Sequence, residues 1–255
     1  MNETNTEFAR SLAKVMCDAL IADGYDVVAV VLQGSQNYGL DTESSDYDFK
    51  AFVMPAPLDL YESRRVSMIR QGLTGQCEVK DIRDLAYLLG KLNPTYLEIL
   101  ASPVYYIPDN PVYLQLWDTL RSMVNPLVHE NCEVTKMVTA AMIRQFTKAA
   151  GTPDVPDYKR LSHVYRLYTM WQKLTAGLDF TDTLMLTGDD LDHALAIKTG
   201  TIATNKLYDE IAIINVVVDT QQTFGLKIEN TASLGRIQHL VMDAVYATVF
   251  IRPFV

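Results

Sequence analysis

Two aspartates, Asp46 and Asp48, sit two residues apart in Ser44-Ser45-Asp46-Tyr47-Asp48, at the head of the apolar stretch Phe49 to Met54. Tyr47 to Met54 reads as a strand, and residues two apart in an extended chain project to one face. Two carboxylates side by side repel each other, a cost that a divalent cation removes. Mg²⁺ commonly takes one or two carboxylates together with substrate phosphates. A third acid further along would complete a two-metal site, in which one ion activates an attacking hydroxyl and the other holds a triphosphate. Gly34-Ser35, at the end of the preceding apolar run, supplies a complementary half. Glycine lets backbone N–H groups come close to phosphate, and a serine hydroxyl adds a hydrogen bond.

The elements that must position these groups are visible in the apolar spacing. Phe8, Leu12, Val15, Met16, Ala19 and Leu20 fall at helical intervals, and Gly24 is placed to end that helix. Val27 to Leu32 is a β-branched run without polar alternation, the pattern of a strand buried on both faces. Pro55-Ala56-Pro57 stops the second strand, and Cys77 to Lys80 reads as a third. Asp81 or Asp84 starts a helix carrying Leu85, Leu88 and Leu89, and a short helical piece, Tyr96 to Leu100, follows Asn93-Pro94. After about Pro111 helical patterns dominate, one with Leu207, Ile211, Ile214 and Val218 on a face, another with Ile237, Leu240, Val241, Ala244 and Val245. The expected fold is α+β: a small mixed-sheet catalytic domain over residues 1–110, then a mainly helical domain over residues 111–255 that closes the cleft.

Composition bounds the partners. The chain has 255 residues, 49% of them hydrophobic, and a formal net charge of −9. That length suffices for a substantial core. No apolar run approaches the roughly 20 residues of a membrane span, so no membrane partner is expected. Met1-Asn2-Glu3-Thr4-Asn5 lacks the basic and apolar regions of a secretory signal, and Cys17, Cys77 and Cys132 match no zinc spacing. These features point to a cytoplasmic protein with reduced thiols. The acidic balance argues against bulk binding of duplex DNA, without excluding a nucleotide or a short RNA end.

Gly34-Ser35-Gln36-Asn37-Tyr38-Gly39 followed by Ser45-Asp46-Tyr47-Asp48, flanked by two apolar strands, resembles the signature of the DNA polymerase beta-like nucleotidyltransferase superfamily. It is similar in particular to the bacterial and phage group associated with RNA ligases. Leu92-Asn93-Pro94-Thr95-Tyr96-Leu97-Glu98-Ile99-Leu100 and Asp157-Tyr158-Lys159-Arg160-Leu161-Ser162-His163-Val164-Tyr165-Arg166 resemble two further segments of that group. The resemblance implies a polymerase beta-like fold. It assigns metal binding to Asp46 and Asp48, and phosphate binding to Gly34 and Ser35, with Tyr38 beside them. It also implies a third carboxylate on a later strand. Glu78 suits that place because Cys77 and Val79 can point into the core while Glu78 points the other way; Asp81 is the rival, with a second reading as a helix N-cap.

At about 100° per residue, Lys159, His163 and Arg166 share one helix face, opposite Leu161, Val164, Tyr165 and Tyr168. That face could neutralise a triphosphate, or simply be solvated. Arg64-Arg65 and Arg70 read as a loop between the second and third strands, and His129 and His193 as surface residues. The expected function is transfer of a nucleoside monophosphate from an NTP, ATP among them, to an acceptor, with release of pyrophosphate. The acceptor could be an RNA 3′ end, a protein or a small molecule. Asp46, Asp48 and Glu78 would hold two Mg²⁺ ions, with Mn²⁺ as a possible substitute. The alternative is a catalytically weak nucleotide-binding or regulatory, antitoxin-like member of the same superfamily.

Overall fold

The computed structural model describes residues 3–72, 74–130, 133–150, 157–202, 209 and 232–250. The chain opens with helix α1 (Glu3–Ala22), which leads into strand β1 (Asp26–Gln33). A single helical turn, α2 (Ser35–Tyr38), separates β1 from β2 (Asp48–Met54). The short helix α3 (Pro57–Tyr61) and the hairpin of β3 (Ser67–Gln71) and β4 (Gln76–Asp81) follow. Then come α4 (Ile82–Leu89), α5 (Pro94–Ala101) and the two-residue strand β5 (Tyr105–Tyr106). The remaining described elements are helices: α6 (Pro111–Ser122), α7 (Val124–Glu130), α8 (Glu133–Ala150), α9 (Tyr158–Thr175), α10 (Phe180–Thr183), α11 (Gly188–Lys198) and α12 (Ala232–Phe250). The helical face expected around Leu207 to Val218 lies outside the described residues.

The five strands form one mixed sheet in the order β3-β4-β2-β1-β5. β2 and β4 run parallel, and the other neighbours are antiparallel. The apolar run of β1 is buried on both faces, as its lack of alternation predicts. Val27, Val30 and Leu32 meet α1, which turns Ala9, Ala13, Met16, Cys17 and Leu20 onto the sheet. Val28 and Val31 join Phe52, Trp117, Val164 and Val241 on the opposite side. The core therefore continues from the sheet into the helices without a break at residue 110. Asn93 and Asn110 cap α5 and α6 by accepting from Thr95 and Val112 N–H, each with proline in the first turn.

Two elements differ from the expectation. The second strand starts at Asp48, so Asp46 and Tyr47 lie outside the ladder. The chain here bends through a turn, with Ser45 N–H donating to Thr42 O, and Tyr47 N–H reaches Thr74 O at 3.0 Å. The sequence predicts a loop where β3 forms. β3 is an edge strand whose alternation is inverted, with Ile69 exposed and Met68 and Arg70 half-buried. The arginines of β3 and of the segment before it are paired: Arg64 with Asp59 and Glu62, Arg65 with Asp84, and Arg70 with Asp23. Among the described residues, no helix is long and apolar enough to cross a membrane.

Candidate active site

Gly34 ends β1 with φ of 80° and ψ of −157°, a backbone region that side chains with a Cβ avoid. A Cβ there would also lie 3.8 Å from Asp48 Oδ2, so the turn and the carboxylate are immediate neighbours. The β1–β2 register explains why: Gln33 sits opposite Asp48. Gln76 N–H donates to Asp48 Oδ1 at 3.2 Å and anchors the side chain from the far strand. Ser35 opens the α2 turn and is half-buried. Asp46 is exposed in the loop before β2. The structure thus brings Gly34 and Asp48 together on adjacent strands, with Asp46 just outside the sheet.

Three segments distant in sequence meet behind that turn. Tyr38 Oη donates to Glu98 Oε2 at 2.7 Å, and Arg166 Nη1 donates to Glu98 Oε1 at 2.7 Å. The Arg166 guanidinium also stacks 3.8 Å from the centre of the Tyr38 ring, and the His163 ring meets that ring edge-on. Burial, then the Glu98 charge, pushes the Tyr38 hydroxyl well above its usual range. Burial opposes the Arg166 charge, but Glu98 and Tyr38 outweigh it and raise its pKa. His163 is lowered to about 3, first by burial and then by Arg166, Lys198 and Lys159. It is a neutral imidazole at ordinary pH.

These groups wall one cavity of about 270 Å³. Gln33, Gly34, Tyr38 and Asp48 come from the sheet side, Thr95 and Glu98 from α5, Gln145 from α8, and His163 and Arg166 from α9. Arg166 Nε is buried without a hydrogen-bond partner among the described residues. Of the expected basic face, Arg166 is therefore a buried ion-pair partner, His163 a neutral donor or acceptor, and Lys159 an exposed cation.

Two residues without an expected role shape this site. Glu98 is the one charge in the otherwise apolar α5, and an isolated carboxylate in an apolar run is a readable sign of a buried partner. Lys198, at the end of α11, donates to Leu40 O and to Ser45 Oγ (3.4 Å), tying that helix to the loop before Asp46. No local pattern marks Lys198.

The two acids considered for the third position are both engaged by cations. Asp81 is fully buried, accepts Arg83 N–H as the N-cap of α4, and forms an ion pair with the Arg83 guanidinium at 2.6 Å. Glu78 stands opposite Lys50 on parallel β2, on the same pleat face as Asp48. Its two oxygens take Lys50 Nζ at 2.6 Å and Lys80 Nζ at 3.0 Å. Burial opposes its charge, but the two lysines hold its carboxyl below the usual value. Among the described residues, no three acids, histidines or cysteines converge as a metal set. Asp46 and Asp48 suit one hard cation completed by substrate phosphates. Glu78, with both oxygens on lysines, does not fit as a ligand to a second ion in this arrangement.

A five-stranded mixed sheet with a Gly-Ser turn and an aspartate on adjacent strands, backed by helices, is the arrangement expected of a polymerase beta-like nucleotidyltransferase. The chain belongs to the RNA repair pathway DNA polymerase beta family, whose model matches residues 8–192. No curated protein matches it. Among solved structures, a nucleotidyltransferase-like protein from Exiguobacterium sibiricum 255-15 is similar, at 11% identity with a TM-score of 0.31. That likeness covers 92% of this chain and 72% of the other.

Proposed function

We propose that this protein transfers a nucleoside monophosphate from an NTP to an acceptor hydroxyl or phosphate and releases pyrophosphate. The supporting observation is the single cavity that joins the Gly34 turn and Asp48 on one side to His163 and Arg166 on the other. The Gly34-Ser35 turn would hold the phosphates through backbone N–H groups, and the exposed Lys159, on the helix that carries His163, would offset part of their charge. Asp46 and Asp48 would hold a divalent cation, Mg²⁺ or Mn²⁺, which when bound neutralises the triphosphate and favours the ionised acceptor. The acceptor oxygen attacks the α-phosphorus as the bond to pyrophosphate breaks, and a carboxylate of the aspartate pair takes the acceptor proton. The family description refers to RNA repair, so an RNA end is the first acceptor to try, ahead of a protein or a small molecule.

Each labelled NTP is incubated with Mg²⁺ and pools of RNA, protein and small molecules, using wild type and Asp46→Asn/Asp48→Asn. Label should pass to one pool with wild type alone. Equal transfer by both proteins would refute the assigned site. The engagement of Glu78 by two lysines supports a second reading, nucleotide binding with weak chemistry, as in a regulatory member. Metal-dependent NTP binding by calorimetry, without pyrophosphate release on any pool, would favour it.

A further inference from the structure

Lys50 lies on the face of β2 that carries Asp48, and only 3% of it is exposed. A lysine in such a place is costly unless paired. Its Nζ contacts Glu78 Oε2 at 2.6 Å and lies 4.6 Å from the centre of the Tyr96 ring. Both contacts suit a cation, one through charge and one through the ring face. Glu78 keeps its second oxygen on Lys80, which is itself held by Ser67 Oγ at 2.8 Å. The two strands place Lys50 opposite Glu78, so this pairing follows from the register rather than from a chance rotamer.

We infer that Lys50 is a resident counter-cation for Glu78, so that the chain binds one divalent ion at Asp46 and Asp48 and excludes a second from Glu78. The inference rests on the reading of Asp46 and Asp48 as cation ligands. A positive charge already within contact distance of a carboxylate both satisfies it and repels an arriving dication; Lys50 is out of water, while Glu78 is a third exposed, so solvent screens part of both effects. Lys80 alone leaves one oxygen of Glu78 open. Removing the Lys50 charge while keeping its length should therefore free a ligand on the pleat face of Asp48. Lys50 is in this sense a positioning residue: it fixes the Glu78 carboxylate and sets the number of ions held.

The test is a count of bound Mn²⁺ on the full chain, from the free-ion electron paramagnetic resonance signal during titration. Wild type should bind one ion, Lys50→Met two, and Lys50→Met/Glu78→Gln one again. The second ion should bind Lys50→Met at least about tenfold more tightly than it binds wild type. Lys50→Arg keeps the charge and should keep the count at one. Two ions of similar affinity in wild type, or one ion in Lys50→Met, would overturn the inference and leave the aspartate assignment standing. No ion in wild type would instead sink the aspartate assignment and the inference with it. Circular dichroism of each variant establishes that the counts refer to folded protein.

Discussion

Glu98 divides its two oxygens between a phenol and a guanidinium, and the whole arrangement is out of water. Removing one side of a buried pair leaves the other charge uncompensated, at a cost of about 3–5 kcal/mol. Glu98→Gln should therefore destabilise the fold by that order in urea titration. Glu98→Gln/Arg166→Met should be less destabilised than Glu98→Gln alone, because the stranded charge is gone. A second residue-scale consequence concerns protons. His163 has a folded pKa of about 3 against 6.5 when free. As pH falls below 6.5 the unfolded chain takes up a proton that the folded chain refuses until about 3. This group therefore removes stability across that window, by at most about 1.4 kcal/mol per pH unit, and contributes no such loss above it. Urea midpoints of wild type and His163→Gln, compared at several values between pH 7 and pH 4, should diverge in slope. Parallel curves would refute the assignment.

At the scale of elements, the loop from Leu40 to Asp46 is fixed from three sides. Ser45 Oγ receives Thr42 N–H at 2.9 Å, Gln36 Nε2 donates to Ser45 O, and Lys198 crosses from α11 to Leu40 O. The first two ties are local; the third joins the helices to the loop that presents Asp46. A hydrogen bond from a charged group contributes about 1.5–3 kcal/mol, and for a half-buried lysine the lower figure applies. Lys198→Met should therefore speed amide exchange over residues 40–46 by about tenfold, read by hydrogen exchange with mass spectrometry. Unchanged exchange there would mean that Lys198 does not hold the loop. The same contrast decides what could be read from the amino-acid sequence. α1, β1, β2 and α5 were legible because their apolar periods and caps are local. Gly34 and Asp48 were legible as neighbours because one short connection joins their strands. β3 was not, since its exposed Ile69 and inward Arg70 reverse the pattern that burial normally imposes. Gly75 beside it is a further hidden constraint: a Cβ there would run into the Tyr47 carbonyl, which only the folded hairpin reveals. Glu98 meets Tyr38 and Arg166 at separations of 60 and 68 residues, beyond any local pattern.

Among the described residues, the core and the candidate cavity both draw on residues from each side of position 110. Val28, Val31 and Phe52 of the sheet pack with Tyr113, Trp117 and Leu120 of α6, and the same cluster continues to Val164 of α9 and Val241 of α12. Phe52 and Trp117 rings lie 5.7 Å apart, and Tyr113 Oη donates to Asp26 at 2.7 Å. A fragment ending at residue 110 keeps the Gly34 turn, both aspartates and all five strands. It keeps α4 and α5 on that sheet face but loses the cover given by α6, α9 and α12, and it leaves Glu98 without Arg166. Burial of large apolar side chains contributes roughly 1.5–3 kcal/mol each, and an entire domain is stable by only about 5–15 kcal/mol. Losing the burial of Tyr113, Leu116, Trp117 and Leu120 alone amounts to roughly 6–12 kcal/mol, comparable to that whole margin. The fragment 1–110 is therefore expected to lack dispersed amide resonances and a cooperative urea transition, while the full chain shows both. A fragment that folds cooperatively would show that the sheet is an autonomous domain and that the shared core is dispensable. Adding residues 111–255 as a separate chain should restore the transition if the continuous core is what holds the halves together, because the buried surface supplies the association energy whether or not the backbone is joined.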